Sequence, residues 1–337
     1  MDFVLYNYDT YKVNWHHELL AKKLEAVERG EIKRLMVFMP PRHGKALAVD
    51  TPIFTTQGWK RMDELKVGDI VFDENGEQTR IVAVSPVWKN RDVYRVRDKE
   101  NNELLADEAH EWLVRLDRKH KVKRIYETKF LANRACLRKP LVETAKALDM
   151  DEVVLPIPPY VLGVWLGDGT SKQAIITEGE QDYDFIRNQI EQSGFETTDQ
   201  STSGTFGILG LKTLLRENNL VGNKHIPDVY YLSSKEQRLA LLQGLIDTDG
   251  YVSKEGQITF TSISKELAEG VAFLVRSLGA KASLREGKAH LNGRFIGKKY
   301  DVSFYLKDSA RLPRRRSLMK NGVRTCLLYT SPSPRDR

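Results

Sequence analysis

Two aspartates end closely similar segments at two places in the chain. Asp168 ends the segment VLGVWLGD (161–168), and Asp249 ends LQGLIDTD (242–249). In each segment a glycine precedes the acid by five residues, a small residue lies immediately before the acid, and a glycine follows it. Small residues four apart form a flat stripe on a helix, so two such helices can pack with their backbones close together. The spacing therefore predicts two paired helices whose ends bring both carboxylates together.

Such a pair of acids has a specific chemical use. The two carboxylates would repel each other and the negative ends of their own helix dipoles unless a cation lay between them. Mg²⁺ or Mn²⁺ binds oxygen ligands of this kind, with water and a phosphate oxygen completing the set. We therefore expect Asp168 and Asp249 to be metal ligands and catalytic residues for metal-assisted phosphodiester hydrolysis.

The segments that follow the two acids also correspond to each other. Each acid is followed by a strand, a helix that ends at a glycine, and a second strand. The predicted elements are AIIT, Tyr183–Ser193 and FETT after Asp168, and QITFT, Lys265–Leu278 and KASLR after Asp249. This doubled order predicts an α+β body with internal pseudo-twofold symmetry that functions as a monomer.

Residues 157–318 resemble the LAGLIDADG homing endonucleases of the DOD type, which have two αββαββ-type repeats. The resemblance implies a site-specific endonuclease whose partner is double-stranded DNA. It also implies active-site lysines, for which the best matches are Lys224, in the segment KHIP, and Lys281, at the start of the strand after the second helix. The cations expected to lie along the DNA are Lys254, Arg285, Lys288, Arg294, Lys298 and Lys299.

Residues 46–156 have the pattern of an all-β module. Short strands such as DIVFD, TRIVAVSPVW and DVYRVRD alternate with turn signals such as ENGE. The opening ALAVDTPI and the later LLADEAHEWLV resemble the intein splicing (Hint) domain, of which this would be the N-terminal part. The resemblance implies that His110 acts on the Lys45–Ala46 bond, and an imidazole can donate a proton near neutral pH.

The first residue of this module restricts its class. Ala46 has no nucleophile, so it cannot attack the preceding carbonyl as Cys or Ser would. Trp112 resembles the tryptophan of the third intein class, in which a late cysteine attacks the upstream junction. Asp107 stands where the family usually has a threonine. The resemblance assigns Ala46, Asp107, His110 and Trp112 to the splicing site.

The chain contains two cysteines, and neither matches that late cysteine. Cys136 comes too early, and Cys326 begins CLLYTSPSPRDR, which resembles a translated sequencing adaptor. We therefore expect 319–337 to be a linker with an artefactual tail. Without the C-terminal blocks the chain as written is expected not to splice, whereas its full-length parent would splice itself.

Residues 1–45 end in half of a phosphate-binding loop. A helical pattern and the apolar strand Leu35–Met39 lead into PPRHGK, in which Gly44 and Lys45 would contact phosphates. The segment resembles the variant Walker A of phage terminase large subunits, and it would be the N-extein of the intein. Ala46 stands where a magnesium-binding Ser or Thr would follow, so a complete nucleotide site is not expected.

The bulk composition is compatible with this organisation. A net charge of +7 favours contact with a polyanion without requiring one. No apolar run has the length of a bilayer span, and the N-terminus lacks the features of a signal peptide. We therefore expect no membrane partner and a cytoplasmic, phage-encoded protein in a bacterial host.

Two alternative functions remain open at this level. The repeats could belong to an inactive intein remnant that binds DNA without cleaving it, or the chain could be a terminase ATPase fragment. The first alternative predicts binding without turnover, and the second predicts nucleotide affinity in residues 1–45.

Overall fold

The structure is a computed structural model, and it describes residues 15–31, 47–87, 89, 91–99, 102–115, 122–134, 140–291 and 294–306. The predicted strand Leu35–Met39, Gly44, Lys45, Ala46, Cys136, Cys326 and segment 319–337 lie outside these residues. Within the described residues, the mixed architecture expected from the sequence is confirmed. Short antiparallel strands form the first part, and an α+β body forms the second.

The helices are α1 (Trp15–Glu28), α2 (Thr128–Arg134), α3 (Pro159–Asp168), α4 (Glu180–Gln192), α5 (Leu211–Glu217), α6 (Asp228–Tyr231), α7 (Lys235–Asp249) and α8 (Lys265–Ser277), with a 3₁₀ turn at Met62–Glu64. The strands of the first part are β1 (Pro52–Thr55), β2 (Gly58–Arg61), β3 (Ile70–Phe72), β4 (Gln78–Arg80), β5 (Val93–Arg97), β6 (Glu103–Asp107), β7 (Glu111–Arg115), β8 (Arg124–Glu127) and β9 (Leu141–Val142). Those of the second part are β10 (Ile175–Thr177), β11 (Thr197–Asp199), β12 (Thr205–Ile208), β13 (Gly250–Val252), β14 (Ile258–Ser262), β15 (Ala282–Leu291) and β16 (Arg294–Phe304).

The first part contains small antiparallel sheets with the orders β2-β1-β3-β4, β5-β6 and β8-β7-β9. The predicted ENGE hairpin is confirmed, because Gly76 adopts a φ of 80° between β3 and β4. The prediction of one strand over TRIVAVSPVW is wrong beyond its start. Residues 82–87 join no strand. Pro86 has no N–H to donate to a neighbouring strand. The side chains of Val84 and Val87 are exposed, so burial of these side chains does not stabilise strand pairing here.

The second part is centred on α3 and α7, which cross at their glycines. A Cβ at Gly163 would collide with the main-chain oxygen of Leu241, and a Cβ at Gly244 would collide with that of Tyr160. The predicted stripe of small residues is therefore confirmed as a close backbone contact. Both helices are buried on nearly every side, as expected for the centre of a domain.

Each central helix is followed by an antiparallel sheet, and the two sheets differ in size. The first has the order β10-β12-β11 with strands of three or four residues. The second has the order β13-β14-β16-β15 and includes strands of 10 and 11 residues. Helices α4 and α8 confirm the predicted helices in each repeat. The strands β12, β13 and β16 and the helix α5 were not predicted.

An extended segment, residues 146–157, joins the two parts and is fixed along the second. The guanidinium of Arg238 donates to the oxygen of Leu148 at 2.5 Å, and the amide of Gln237 exchanges two hydrogen bonds with the main chain of Val153. The hydroxyl of Tyr230 likewise bonds both main-chain groups of Ile157. The segment therefore packs as a component of the α+β body, although it has no helix or strand.

An aromatic contact joins the first part to the second. The ring of Phe273 on α8 lies 4.8 Å from that of Phe54 and 4.7 Å from that of Trp59. Tyr231 packs against the same ring at 5.1 Å. No helix among the described residues is both long enough and apolar enough to cross a membrane.

Candidate functional site

Asp168 and Asp249 are the last residues of α3 and α7, as the spacing predicts. The glycines that follow, Gly169 and Gly250, have extended backbones with φ of −70° and −94°. They are needed for space, because a Cβ at either position would collide with the main-chain oxygen four residues earlier. After each central helix the chain therefore turns sharply towards the sheet that follows, and the aspartate lies at this turn.

The charge of Asp168 affects the ionisation of Asp249. Partial burial first, and then the negative charge of Asp168, raise the pKa of Asp249 to about 6, from an ordinary value near 4. The ammonium of Lys224 acts in the opposite direction. The side chain of Asp249 still reaches the surface, so a ligand can approach it. Two acids at neighbouring helix ends, one of them with a raised pKa, are an arrangement in which a bound cation relieves the repulsion.

Lys224 lies beside the pair, in the loop before α6. Its ammonium donates to the main-chain oxygens of Leu166 and Gly167 at 3.0 and 2.8 Å, and it lies 5.3 Å from the ring centre of Trp165. These bonds place a cation at the negative end of α3. Burial lowers the pKa of Lys224, while the charges of Asp249 and Asp168 act to raise it. The electrostatic coupling to both acids shows that Lys224 belongs to the same cluster.

The oxygen donors fit a divalent cation that keeps part of its hydration shell. In the described part of the chain, no group of three or more His, Cys, Asp or Glu side chains is placed to hold a metal ion. The aspartate pair supplies two carboxylates, and Mg²⁺ is commonly held by one or two carboxylates together with water and substrate phosphate. The site is therefore suited to an ion that a phosphate-containing ligand completes.

The structure does not bring Lys281 to this pair. Lys281 immediately precedes β15, whereas Asp249 immediately precedes β13, and these strands are at opposite edges of the four-stranded sheet. Three strand spacings separate them, or about 14 Å. The expected role of Lys281 as a second active-site lysine therefore has no geometric support. The sequence placed Lys281 at the start of a strand but did not indicate which edge of the sheet that strand occupies.

Asp247 and Tyr160 are functional candidates that the sequence reasoning missed. The Asp247 side chain is 2% exposed and accepts a hydrogen bond of 3.1 Å from the hydroxyl of Tyr160. This bond crosses from α7 to the first turn of α3. Asp247 was visible within LIDTDG, but no pattern indicated its partner on the other helix.

The splicing candidates cluster around the end of β6. The carboxylate of Asp107 is nearly buried, and it accepts hydrogen bonds from Arg91 Nε at 3.0 Å and from the Ala109 N–H at 2.8 Å. Leu47 forms an antiparallel bridge with Ala106. The chain immediately after Ala46 therefore runs alongside the predicted site. Ala46 itself is outside the described residues.

His110 and Trp112 lie against each other, with ring centres 4.7 Å apart. The indole N–H of Trp112 donates to the Thr128 hydroxyl at 2.9 Å, and that hydroxyl donates to the main-chain oxygen of His110 at 3.2 Å. Thr128 and Arg91 were missed from the sequence. Each lies well outside the motif that contains its partner, and only the pairing of β7 with β8 brings Thr128 close.

The cations predicted to contact DNA lie in the second half of the α+β body. Arg285, Lys288, Arg294, Lys298 and Lys299 are on β15 and β16, and Lys254 is in the turn between β13 and β14. Arg285, Lys288 and Arg294 are exposed. The six cations therefore lie on one of the two sheets.

A family model described as a LAGLIDADG-like domain matches residues 236–305. The replicative DNA helicase DnaB of Mycobacterium intracellulare is 33% identical over 309 residues, which cover 85% of this chain and 51% of that protein. The chain thus spans about half the length of this relative. A homothallic switching endonuclease of Saccharomyces cerevisiae is 26% identical over 193 residues, or 47% of this chain and 31% of that protein.

Two solved structures are also similar over parts of the chain. The MchDnaB-1 intein is 38% identical and covers 20% of this chain and 53% of its own, with a TM-score of 0.20. I-DmoI in complex with DNA and Mn is 15% identical and covers 50% of this chain and 98% of its own, with a TM-score of 0.33.

Proposed function

We propose, from the premise that this chain is an intein with a LAGLIDADG homing endonuclease domain related to the DnaB inteins, that it makes a site-specific double-strand break in DNA. The reaction would be a metal-dependent phosphodiester hydrolysis. The observation that supports it most directly is the Asp168–Asp249 pair at the ends of two helices whose backbones are in contact. An inactive, DNA-binding remnant is the alternative to be tested.

Asp168 and Asp249 would hold Mg²⁺ or Mn²⁺ between the two halves. The ion, when bound, activates water and stabilises charge on the leaving oxygen. Before it binds, Asp249 must lose its proton, and its raised pKa makes this step favourable above about pH 6. The close helix contact fixes the separation of the acids, and the Asp247–Tyr160 hydrogen bond resists sliding of one helix along the other.

Lys224 would act on the phosphate. Among the described residues, two of its three N–H donors are bound to the end of α3, which fixes the position of the ammonium. The remaining donor and the positive charge can interact with a phosphate oxygen held next to the acids. The two hydrogen bonds to main-chain oxygens hold the ammonium in place, and this geometry supports stabilisation of phosphate charge by Lys224.

The direct test is cleavage of a plasmid that contains an uninterrupted terminase P-loop gene, with Mg²⁺ present. Asp168→Asn and Asp249→Asn should each lower the cleavage rate by at least about a thousandfold, since each removes a metal ligand. Glu217→Gln is the matched control, because it neutralises an exposed acid at the end of α5 in the same body. Cleavage that survives both aspartate substitutions, or binding without cleavage in Mg²⁺ and Mn²⁺, would reject the proposal.

We also infer that the parent of this chain is a terminase-type ATPase interrupted at its Walker A loop. The inference is supported by PPRHGK directly before the splicing segment. It predicts that DNA with the uninterrupted loop sequence is cut, whereas DNA in which the intein gene separates the two half-sites is not. Equal cleavage of both DNAs would contradict it.

In the parent protein, we infer that His110 protonates the leaving amide at the upstream junction. Arg91 and Ala109 hold Asp107, and Thr128 holds both Trp112 and the main chain of His110. Thr128→Val should slow N-terminal cleavage in the parent, because it releases the indole. Thr79→Val, at another buried threonine of the splicing segment, is the control. Equal rates for the two variants would argue against this arrangement.

A further inference from the structure

One hairpin of the second half extends beyond its sheet. Strand β14 pairs with β16 only through residues 300–304, whereas β15 and β16 remain paired from Ala282 to Leu291. Residues 287–291 and 294–299 therefore form a two-stranded arm, and no third strand of the described residues pairs with it. Pairs from Gly287–Lys299 to Leu291–Arg294 extend it by roughly 15 Å beyond the sheet.

The arm is basic. Residues 287–299 contain four cations and no acid. Two of the cations have partners at the base of the arm, since Lys298 lies 2.8 Å from Glu286 and Lys299 lies 2.9 Å from Asp301. Lys288 and Arg294 are exposed. An isolated two-stranded hairpin is at best marginally stable in water, so a basic arm of this kind is suited to an anionic surface that supports it.

The arm leaves the sheet near the acids. Gly250, which follows Asp249, is in register with Phe260, and Phe260 is in register with Val302. Val302 is two residues from Tyr300, the last β16 residue in register with β14. The direction from Val252 to Gly250 is also the direction in which the arm projects. A duplex with a phosphate at the acids would therefore continue along the arm.

The described residues of the first half form no counterpart of this arm. Its strands β11 and β12 are joined by residues 200–204, a short polar turn of sequence QSTSG. On the face of its sheet opposite the core, the register places Ile175, Thr177, Thr198 and Gln200, all without charge. Residues 170–222 contain four basic and eight acidic residues, a net charge of −4, whereas residues 251–306 contain nine basic and five acidic residues, a net charge of +4.

We infer that the chain holds its two DNA half-sites unequally: the arm, residues 287–291 and 294–299, enters the major groove on one side of the acids and supplies most of the ionic attraction. The inference rests on the proposed function for the identity of the partner as duplex DNA. The major groove of B-DNA admits a two-stranded ribbon, and each phosphate neutralised by Lys or Arg releases counterions. The first half holds its half-site through neutral contacts.

The test is fluorescence anisotropy with a labelled duplex of about 30 base pairs of arbitrary sequence, in EDTA and over a series of KCl concentrations. The arm variant carries Lys288→Gln, Arg294→Gln and Lys298→Gln. The matched variant carries Lys172→Gln, Lys212→Gln and Arg216→Gln, three exposed cations of the first half. We expect the arm variant to reduce the slope of log affinity against log salt by roughly two to three, and the matched variant to change it by less than one.

An equal loss of slope in both variants, or an unchanged slope in the arm variant, would overturn the inference. Circular dichroism of both variants shows whether each is folded, and the arm lies outside the core. Because the assay is run in EDTA, it does not depend on cleavage. If the arm variant loses more slope than the matched variant but the protein fails to cut DNA, only the proposed function is rejected. If the two variants lose equal slope and the protein cuts DNA, only the unequal binding of the two half-sites is rejected.

Discussion

The proposed endonuclease site and the proposed splicing site position their side chains in different ways. Asp168 and Asp249 are fixed by two helices whose backbones touch at glycines, within a large continuous core. Asp107 on β6 and Trp112 on β7 are fixed by side-chain hydrogen bonds to Arg91, in the loop before β5, and to Thr128, at the start of α2. The buried apolar cluster of the described splicing segment is small and contains Leu65, Val71 and Ile81. Rigid packing sets the first site, and polar contacts set the second.

This difference has a consequence for tolerance to change. A site fixed by backbone contact is sensitive to a single added methyl group anywhere along the helix crossing. A site fixed by hydrogen bonds is sensitive to the loss of one donor, while added volume nearby has less effect. The following predictions test this contrast in order of decreasing effect.

The helix crossing should be the most sensitive point of the molecule. Gly244→Ala places a methyl group against the main-chain oxygen of Tyr160, and we expect it to lower the free energy of unfolding by about 3 kcal/mol. Helix propensity alone predicts the opposite, a gain of about 1 kcal/mol. Urea denaturation measures the difference. Gly179→Ala, where the added Cβ has no neighbour within 4 Å, is the control, and equal stability of the two variants would break the comparison.

The buried guanidinium should come next. Arg238 is 0% exposed and donates to the oxygens of Ser233, Ser277 and Leu148. Arg238→Met leaves these acceptors without their donor, and we expect a loss of about 2 kcal/mol in the free energy of unfolding. Thermal denaturation compares it with Lys235→Met, an exposed position on the same helix. Increased proteolysis within residues 146–157 in the Arg238 variant alone would sharpen the contrast, and its absence would weaken it.

The contact between the two parts should have a smaller effect. Phe273→Ala removes the ring that packs against Phe54 and Trp59, at a cost of about 1.5 kcal/mol. We expect the splicing segment to become more susceptible to limited proteolysis while the endonuclease part keeps its protection. Phe195→Ala, in the first half, is the control. Identical digestion patterns for the two variants would show that the aromatic contact does not stabilise the splicing segment.

The smallest effect should be a dependence on pH at the acid pair. Because the folded pKa of Asp249 is raised to about 6, its contribution to stability is present at low pH and is lost as the pH rises through about 6. Mg²⁺ can take the place of the proton above that pH. We therefore expect Mg²⁺ at about 5 mM to raise the melting temperature by a few degrees at pH 7.5 but not at pH 5.

Asp249→Asn provides the control for this measurement. It should raise the melting temperature of the metal-free protein at pH 7.5, because it removes the repulsion with Asp168, and it should abolish the response to Mg²⁺. A response to Mg²⁺ that is the same at both pH values, or that persists in Asp249→Asn, would place the ion elsewhere.

The sequence by itself determined the elements with a strong local pattern. The repeated glycine and acid spacing predicted α3 and α7 and the proximity of Asp168 to Asp249, because residues four apart share one face of a helix. The apolar periodicity predicted α4 and α8, and the ENGE turn predicted the hairpin at Gly76. Each of these patterns depends on interactions within a few residues of the chain.

Only the tertiary structure decided which distant residues meet. Lys281 was expected at the acids, but the strand order places it at the opposite edge of the sheet. Thr128 and Arg91 reach the splicing cluster through strand pairing and a loop, and the length of the basic arm depends on how far β15 and β16 stay paired. Strand order and strand register are set by long-range pairing, and a local pattern carries no record of the partner.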